Sequence, residues 1–272
     1  LYIFIGRKRT SDKPSPSLNA KAVIARILRI SLPIALGSFL MSITNIIDLS
    51  LVMRSLVRAG YTESSANALY GNYTTLAVPF LGLCTSLTSA ATVAALPKLT
   101  ASYASGNKKD FLLRLKESIR LSSFVGAALT FGCIYFSREL LVLIFPNESA
   151  TLAAPYLTML APSFILIGAL LSVNTALEAA GKTTAPLFSM GIGAIVKAVV
   201  SYILVGNAEI GIGGAAIGTV AFYAASLFVS LIILFLKFGF RVDCFLPMLG
   251  YIVLAKPSAF VAKALQELTN RG

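Results

Sequence analysis

Asp48 and Lys197 are the two residues whose chemistry conflicts most sharply with their surroundings. Asp48 lies in ISLPIALGSFLMSITNIIDLSLVMRSL, from Ile30 to Leu56, and Lys197 lies in PLFSMGIGAIVKAVVSYILVG. An ionised side chain in so apolar a run is costly unless it meets water or an opposite charge. At about 1.5 Å per helical residue, Lys197 is roughly 14 Å from the end of its stretch and Asp48 about 8 Å from the end of its own. A lysine stem cannot snorkel 14 Å or so to an aqueous interface, so Lys197 is expected to face a cavity or a partner. The depths differ by roughly 6 Å, about one lysine side chain, so an ion pair between them is feasible in depth. Whether their helices touch is a separate matter, and Asp48 also reads as a polar residue satisfied near the headgroups.

Other polar residues cluster around these two. Asn45 precedes Asp48 by three residues and shares its helix face. Arg54 and Arg58, spaced i and i+4, sit at the mouth of the same stretch. Guanidinium groups suit a phosphate or pyrophosphate, though the pair reads equally as an interfacial anchor. Glu178 and Asn174 are again four apart, and Glu178 also reads as a solvated loop residue. These types offer charge pairing, anion binding and cation coupling. Hydrolytic and redox chemistry have no support: the chain contains no His, and its three Cys are scattered without disulfide or metal spacing. No paired carboxylates or nucleophile motif appears, so no enzyme activity, cofactor or metal is expected. GIGGAAIGT, with Gly211, Gly213, Gly214 and Gly218, lacks the strand and lysine of a phosphate loop. Its GxxxG spacing points to close helix packing.

The elements that must position these residues are membrane helices. Of 272 residues, 57% are hydrophobic and only 12% charged, and the mean hydropathy is +0.83. Six apolar stretches are expected to span: about 30–53, 71–97, 121–136, 152–177, 186–206 and 215–236. The third is short, and 140–145 is a possible extension after the break at 137–139. RSLVRAGYTESSANALY is expected to be a loop, and an amphipathic helix is expected from Lys108 onward. The net charge of +12 would suggest nucleic acid in a soluble protein. Here the charges fall between spans. With the N-terminal loop inside, sixteen Lys and Arg fall in inside loops and three in outside loops, the asymmetry of the positive-inside rule. The expected organisation is the end of a preceding span and a basic cytoplasmic loop over 1–29, a six-helix lobe over 30–241, and a surface helix with a truncated further span over 242–272. The fold class is all-α, a polytopic transmembrane helix bundle in the cell membrane. No nucleic-acid partner is expected.

ISLPIALGSFLMSITNIIDLSLVMRSL is followed in order by LYGNYTTLAVPFLGLCTSLTSAATVAALPKLTASYASGNKKD, by PYLTMLAPSFILIGALLSVNTALEAAGKTTAPLFSMGIGAIVKAVVSYILV and by IGIGGAAIGTVAFY. Together they resemble the stage V sporulation protein B / polysaccharide biosynthesis protein family. That family belongs to the multidrug/oligosaccharidyl-lipid/polysaccharide exporter superfamily and is related to the lipid II flippases. The resemblance covers about 30–237. It implies two six-helix lobes around a central cavity, of which this chain is the C-terminal one, with the N-terminal lobe as its missing partner. It also implies flipping of a lipid-linked oligosaccharide or peptidoglycan precursor, of the polyprenyl pyrophosphate type, from the inner to the outer leaflet. Lys197, Arg54, Arg58 and Asn45 are then the candidate headgroup contacts, with Asp48 and Glu178 as charge partners or ion-coupling groups. The alternatives are a cation-coupled multidrug exporter and a non-transporting scaffold of cell-envelope assembly. A basic cavity would favour the flippase, a carboxylate-rich aromatic one the drug exporter, and a dry apolar interface the scaffold.

Overall fold

The computed structural model describes residues 46, 48–145, 148–207 and 209–238. The expected basic loop 1–29, most of the first span with Asn45, and the tail 242–272 lie outside the described residues.

The first described helix, α1, is the run 48–58. It ends where Gly60 takes a positive φ of 97°. Tyr61 N–H then donates to the Leu56 carbonyl at 3.2 Å and Gly60 N–H to Val57 at 3.1 Å, the paired bonds of a Schellman stop. Here the structure corrects the sequence reading. The expected loop after the first span is mostly helical, because α1 continues to 58 and α2 (Glu63–Asn72) starts soon after. Thr62 caps α2 by accepting from Ser65 N–H, and Glu63 supplies a carboxylate to its first turn.

α2 runs into a π-helical turn, Tyr73–Ala77, and then into α3, Pro79–Ala104. Pro79 explains the turn. Its ring has no N–H and would crowd the carbonyl four residues back, and a turn widened to i→i+5 bonding relieves that crowding. Val78 N–H accordingly donates to Tyr73 at 3.1 Å. The threonine hydroxyls occupy carbonyls at the transition: Thr74 donates to Tyr70 at 2.8 Å and Thr75 to Gly71 at 2.5 Å.

α4 (Lys108–Ile144) has 37 residues, about 55 Å of helix. That exceeds the ~30 Å hydrocarbon core, so one end must project beyond it. The projecting end carries Lys108, Asp110, Arg114 and Glu117, with Arg114 bridging Asp110 at 3.4 Å and Glu117 at 3.3 Å. The expected break at 137–139 appears one residue earlier, as a kink at Phe136, whose φ and ψ of −120° and 24° are non-helical and join two helical segments. The stretch expected as one span over 152–177 is instead two helices, α5 (Glu148–Leu160) and α6 (Pro162–Ala179). Pro162 cannot donate across the junction, and the buried Ala161 carbonyl there accepts from the Thr130 hydroxyl at 3.0 Å. α7 (Thr184–Val205) and α8 (Gly213–Phe238) complete the bundle.

Five stretches of the described chain are long and apolar enough to cross a membrane: Glu63–Ala104, Lys108–Ile144, Pro162–Ala179, Thr184–Val205 and Gly213–Phe238. They correspond to the second through sixth expected spans. The described residues form a polytopic membrane helix bundle with α6 at its centre, since thirteen of the eighteen α6 residues are buried. In lipid, helices gain little by hiding apolar area and associate through close packing and hydrogen bonds. Gly126 and Gly168 form such a seam between α4 and α6: a Cβ on Gly126 would stand 2.5 Å from the Phe164 carbonyl oxygen, and one on Gly168 would overlap the Ser122 backbone. Beside them the Ser172 hydroxyl lies 2.7 Å from Ser122 and 3.1 Å from Ser118. Apolar side chains pack at both ends of the bundle. Val52, Leu56, Tyr73 and Leu157 belong to one cluster, and Leu99, Phe111, Leu115 and Leu234 to the other.

Candidate functional site

α7 and α8 are brought together by small residues, and this contact sets the site. Gly218 of the GxxxG pair lies against Ser201 and 3.4 Å from the Lys197 carbonyl, measured from where its Cβ would be. Gly214 lies similarly against the backbone of Leu204 and Val205, and Gly193 against Phe222. The packing reading of the GxxxG spacing therefore holds. With α8 pressed this close, Thr219, Phe222 and Tyr223 stand beside Lys197.

Lys197 and Asp48 meet. The lysine Nζ is 3.0 Å from Asp48 Oδ2, with 14% of the lysine side chain and 11% of the aspartate side chain exposed. The pair joins α1 to α7 deep in the bundle, which explains how both charges are tolerated. Removing one member of a buried pair strands the other, at a cost of about 3–5 kcal/mol.

The pair forms one wall of a cavity of about 310 Å³. Tyr70, Tyr73 and Thr74 line it from α2 and the π turn, Val78 and Leu81 from the start of α3, and Thr219, Phe222 and Tyr223 from α8. Tyr73 is held on two sides: its hydroxyl is 3.3 Å from the Thr219 hydroxyl, and its ring meets Tyr156 edge-on at 6.5 Å. Phe222 and Tyr223 are also perpendicular, with centroids 4.9 Å apart. The π turn matters to this lining. It offsets the side chains before and after it relative to a regular helix, so that Tyr70, Tyr73, Thr74, Val78 and Leu81 all reach one cavity.

Arg58 makes a second tie between α1 and α7. Its Nη1 donates to the Tyr202 hydroxyl at 2.5 Å, and its guanidinium carbon lies 5.6 Å from the centre of the Tyr202 ring. Arg54, one turn earlier, is exposed and has no ion-pair partner among the described residues. Neither arginine lines the cavity.

Glu178 stands apart as well. It lies at the end of α6, where its backbone carbonyl accepts from Gly181 N–H at 2.8 Å. Its neighbour Asn174 is buried in a different network, accepting from Ser230 at 2.9 Å, while Ser230 also reaches Ser189 at 2.8 Å. Of the candidate residues, the structure brings Asp48 and Lys197 together, sets Arg54 and Arg58 along the same helix as Asp48, and leaves Glu178 elsewhere. The aromatic wall of Tyr70, Tyr73, Phe222 and Tyr223 had no place among the sequence candidates. Its sequence traces are YGNYTT, which begins nine residues ahead of Pro79, and the adjacent Phe222 and Tyr223.

The family model described as MatE matches residues 33–203. Stage V sporulation protein B of Bacillus subtilis (strain 168) is 27% identical over 205 residues, which are 74% of this chain and 38% of that protein. The chain thus spans about two fifths of the length of that curated relative. No solved structure matches.

Proposed function

The chain belongs to the MatE family, and on that premise we propose that it forms one lobe of a membrane flippase. Its cargo is a lipid-linked oligosaccharide or peptidoglycan precursor, carried from the inner to the outer leaflet by alternating access. A second lobe, against which this one rocks, completes the transporter. The observation that carries the reading is the Asp48–Lys197 pair at 3.0 Å in the wall of an aromatic-lined cavity. Ionisable residues inside a bundle mark substrate or ion pathways, and a pair beside open space can be engaged by a polar headgroup. Lys197 contacts the headgroup, Asp48 is its charge partner, and Arg54, Arg58 and Asn45 serve the mouth of the path. The N-terminal loop is cytoplasmic in this reading, supported by the distribution of Lys and Arg between loops.

One feature favours the drug-exporter alternative: four aromatic residues surround a carboxylate. Lys197 weighs against it, because the carboxylate is already neutralised at 3.0 Å. The decisive experiment reconstitutes the intact protein in liposomes and follows flipping of a labelled polyprenyl-pyrophosphoryl glycan. Flipping is expected, with strong loss in Lys197→Ala. Absence of flipping on any such lipid removes the assignment, and full activity in Lys197→Ala removes the site.

A further inference from the structure

Resting on that reading, we propose that the Asp48–Lys197 cavity is a subsite for an uncharged, hydroxyl-rich ring: the sugar part of the glycan lipid, and not its phosphates. Among the described residues, Asp48 and Lys197 are the charged ones in the lining, and their charges cancel. A phosphate drawn to Lys197 would meet the Asp48 carboxylate at the same place. A cation drawn to Asp48 or to the aromatic faces would meet the Lys197 ammonium. A neutral hydroxyl group has neither conflict and can use both partners. The carboxylate keeps acceptor sites that Lys197 does not occupy, and the ammonium has three donors of which Asp48 needs one. Donor and acceptor 3.0 Å apart match the spacing of neighbouring hydroxyls on a sugar ring.

The remaining lining fits the same ligand. Tyr70 and Phe222 offer apolar ring surface for the C–H face of a sugar, and the Thr74 and Thr219 hydroxyls add polar edges. About 310 Å³ is at the lower end of ligand pockets, which run from ~300 to ~1,000 Å³. That accommodates a ring-sized group better than a long polar chain. The phosphates of the same lipid would then be met outside the cavity, where Arg54 is exposed.

The test is equilibrium dialysis of the intact protein in detergent against labelled probes: N,N′-diacetylchitobiose as the neutral sugar, inorganic pyrophosphate as the anion and tetramethylammonium as the cation. Chitobiose is expected to bind and the two ions are not expected to displace it. Tyr70→Ala, at a half-buried position, should weaken chitobiose roughly two- to tenfold through loss of one aromatic contact, with its melting temperature confirming the fold. Asp48→Asn should acquire pyrophosphate binding, since it leaves Lys197 unbalanced. The proposal is overturned if wild type binds pyrophosphate in a manner lost in Lys197→Met and untouched in Tyr70→Ala. It is also overturned, with the flippase reading intact, if the protein flips the glycan lipid but does not bind chitobiose. Chitobiose binding without any flipping would sustain the subsite and overturn the flippase reading.

Discussion

Lys197 Nζ and Asp48 Oδ2 are 3.0 Å apart, although 149 positions separate them in the chain. The pair links the start of the described bundle to its penultimate helix, with 14% of the lysine side chain and 11% of the aspartate side chain exposed. Asp48→Ala and Lys197→Ala should each lower stability by about 3 kcal/mol, because each leaves one charge buried without its counterpart. The double variant Asp48→Leu with Lys197→Met should be closer to wild type than either single variant. Unfolding of the purified protein in detergent reads this coupling directly. Additive losses would show that the two residues act independently.

Gly218→Leu should separate α8 from α7. Even a single Cβ at this position overlaps the Ser201 hydroxyl. The expected loss is about 1–3 kcal/mol from overpacking, accompanied by loss of transport as Thr219 and Phe222 leave their places beside Lys197. Gly106, on a turn far along the chain from this seam, provides a glycine control. With a φ of 70° it lies in the conformation glycine tolerates best, but a Cβ there would meet no atom within 4 Å. Gly106→Asn should therefore keep transport.

Pro79→Ala should let the π turn relax to regular helix, since no ring then crowds the carbonyl four residues back. Tightening the turn without removing a residue rotates what precedes it by about 100°, which would turn Tyr70 and Tyr73 away from the cavity. Helix content by circular dichroism should be unchanged while flipping is lost. Retained flipping would show that the widened turn merely accommodates Pro79.

Tyr202→Phe should remove the bond from Arg58 and leave the ring under the guanidinium. The expected cost is about 0.5–1.5 kcal/mol, and Tyr202→Ala should cost more because the cation–π contact also goes. Arg58→Lys should not substitute fully, since an ammonium lacks the planar fork that binds and stacks at once. Thermal unfolding of the three variants ranks these contributions.

Much of this architecture was legible in the residues. Five of the six expected spans reappear as described helices, because a 20-residue apolar run has few other fates. The small residues at Gly214 and Gly218 announced a close helix contact, and the depths of Asp48 and Lys197 made their meeting feasible. Other features depend on tertiary context. RSLVRAGYTESSANALY has the polarity of a loop, yet Thr62 caps a helix there that Tyr73 and Leu76 anchor in the core. The break expected at 137–139 reappears as a kink at the adjacent Phe136, whereas the continuity expected over 152–177 fails at Pro162, where α5 gives way to α6. The aromatic wall was invisible because its members come from α2, the π turn and α8. Only the fold brings them together.

The two ties on α1 have a mechanical consequence. Asp48 and Arg58 are ten residues apart, about 15 Å along the helix axis. A rod fastened at two separated points cannot spin or slide while both fastenings hold. If the Arg58–Tyr202 contact opens first, the ion pair becomes a pivot and the Arg58 end swings. If the ion pair opens first, the Tyr202 contact becomes the pivot and the cavity end swings. The two contacts thus fix α1 against α7 in both rotation and position, and each of them alone defines a different pivot.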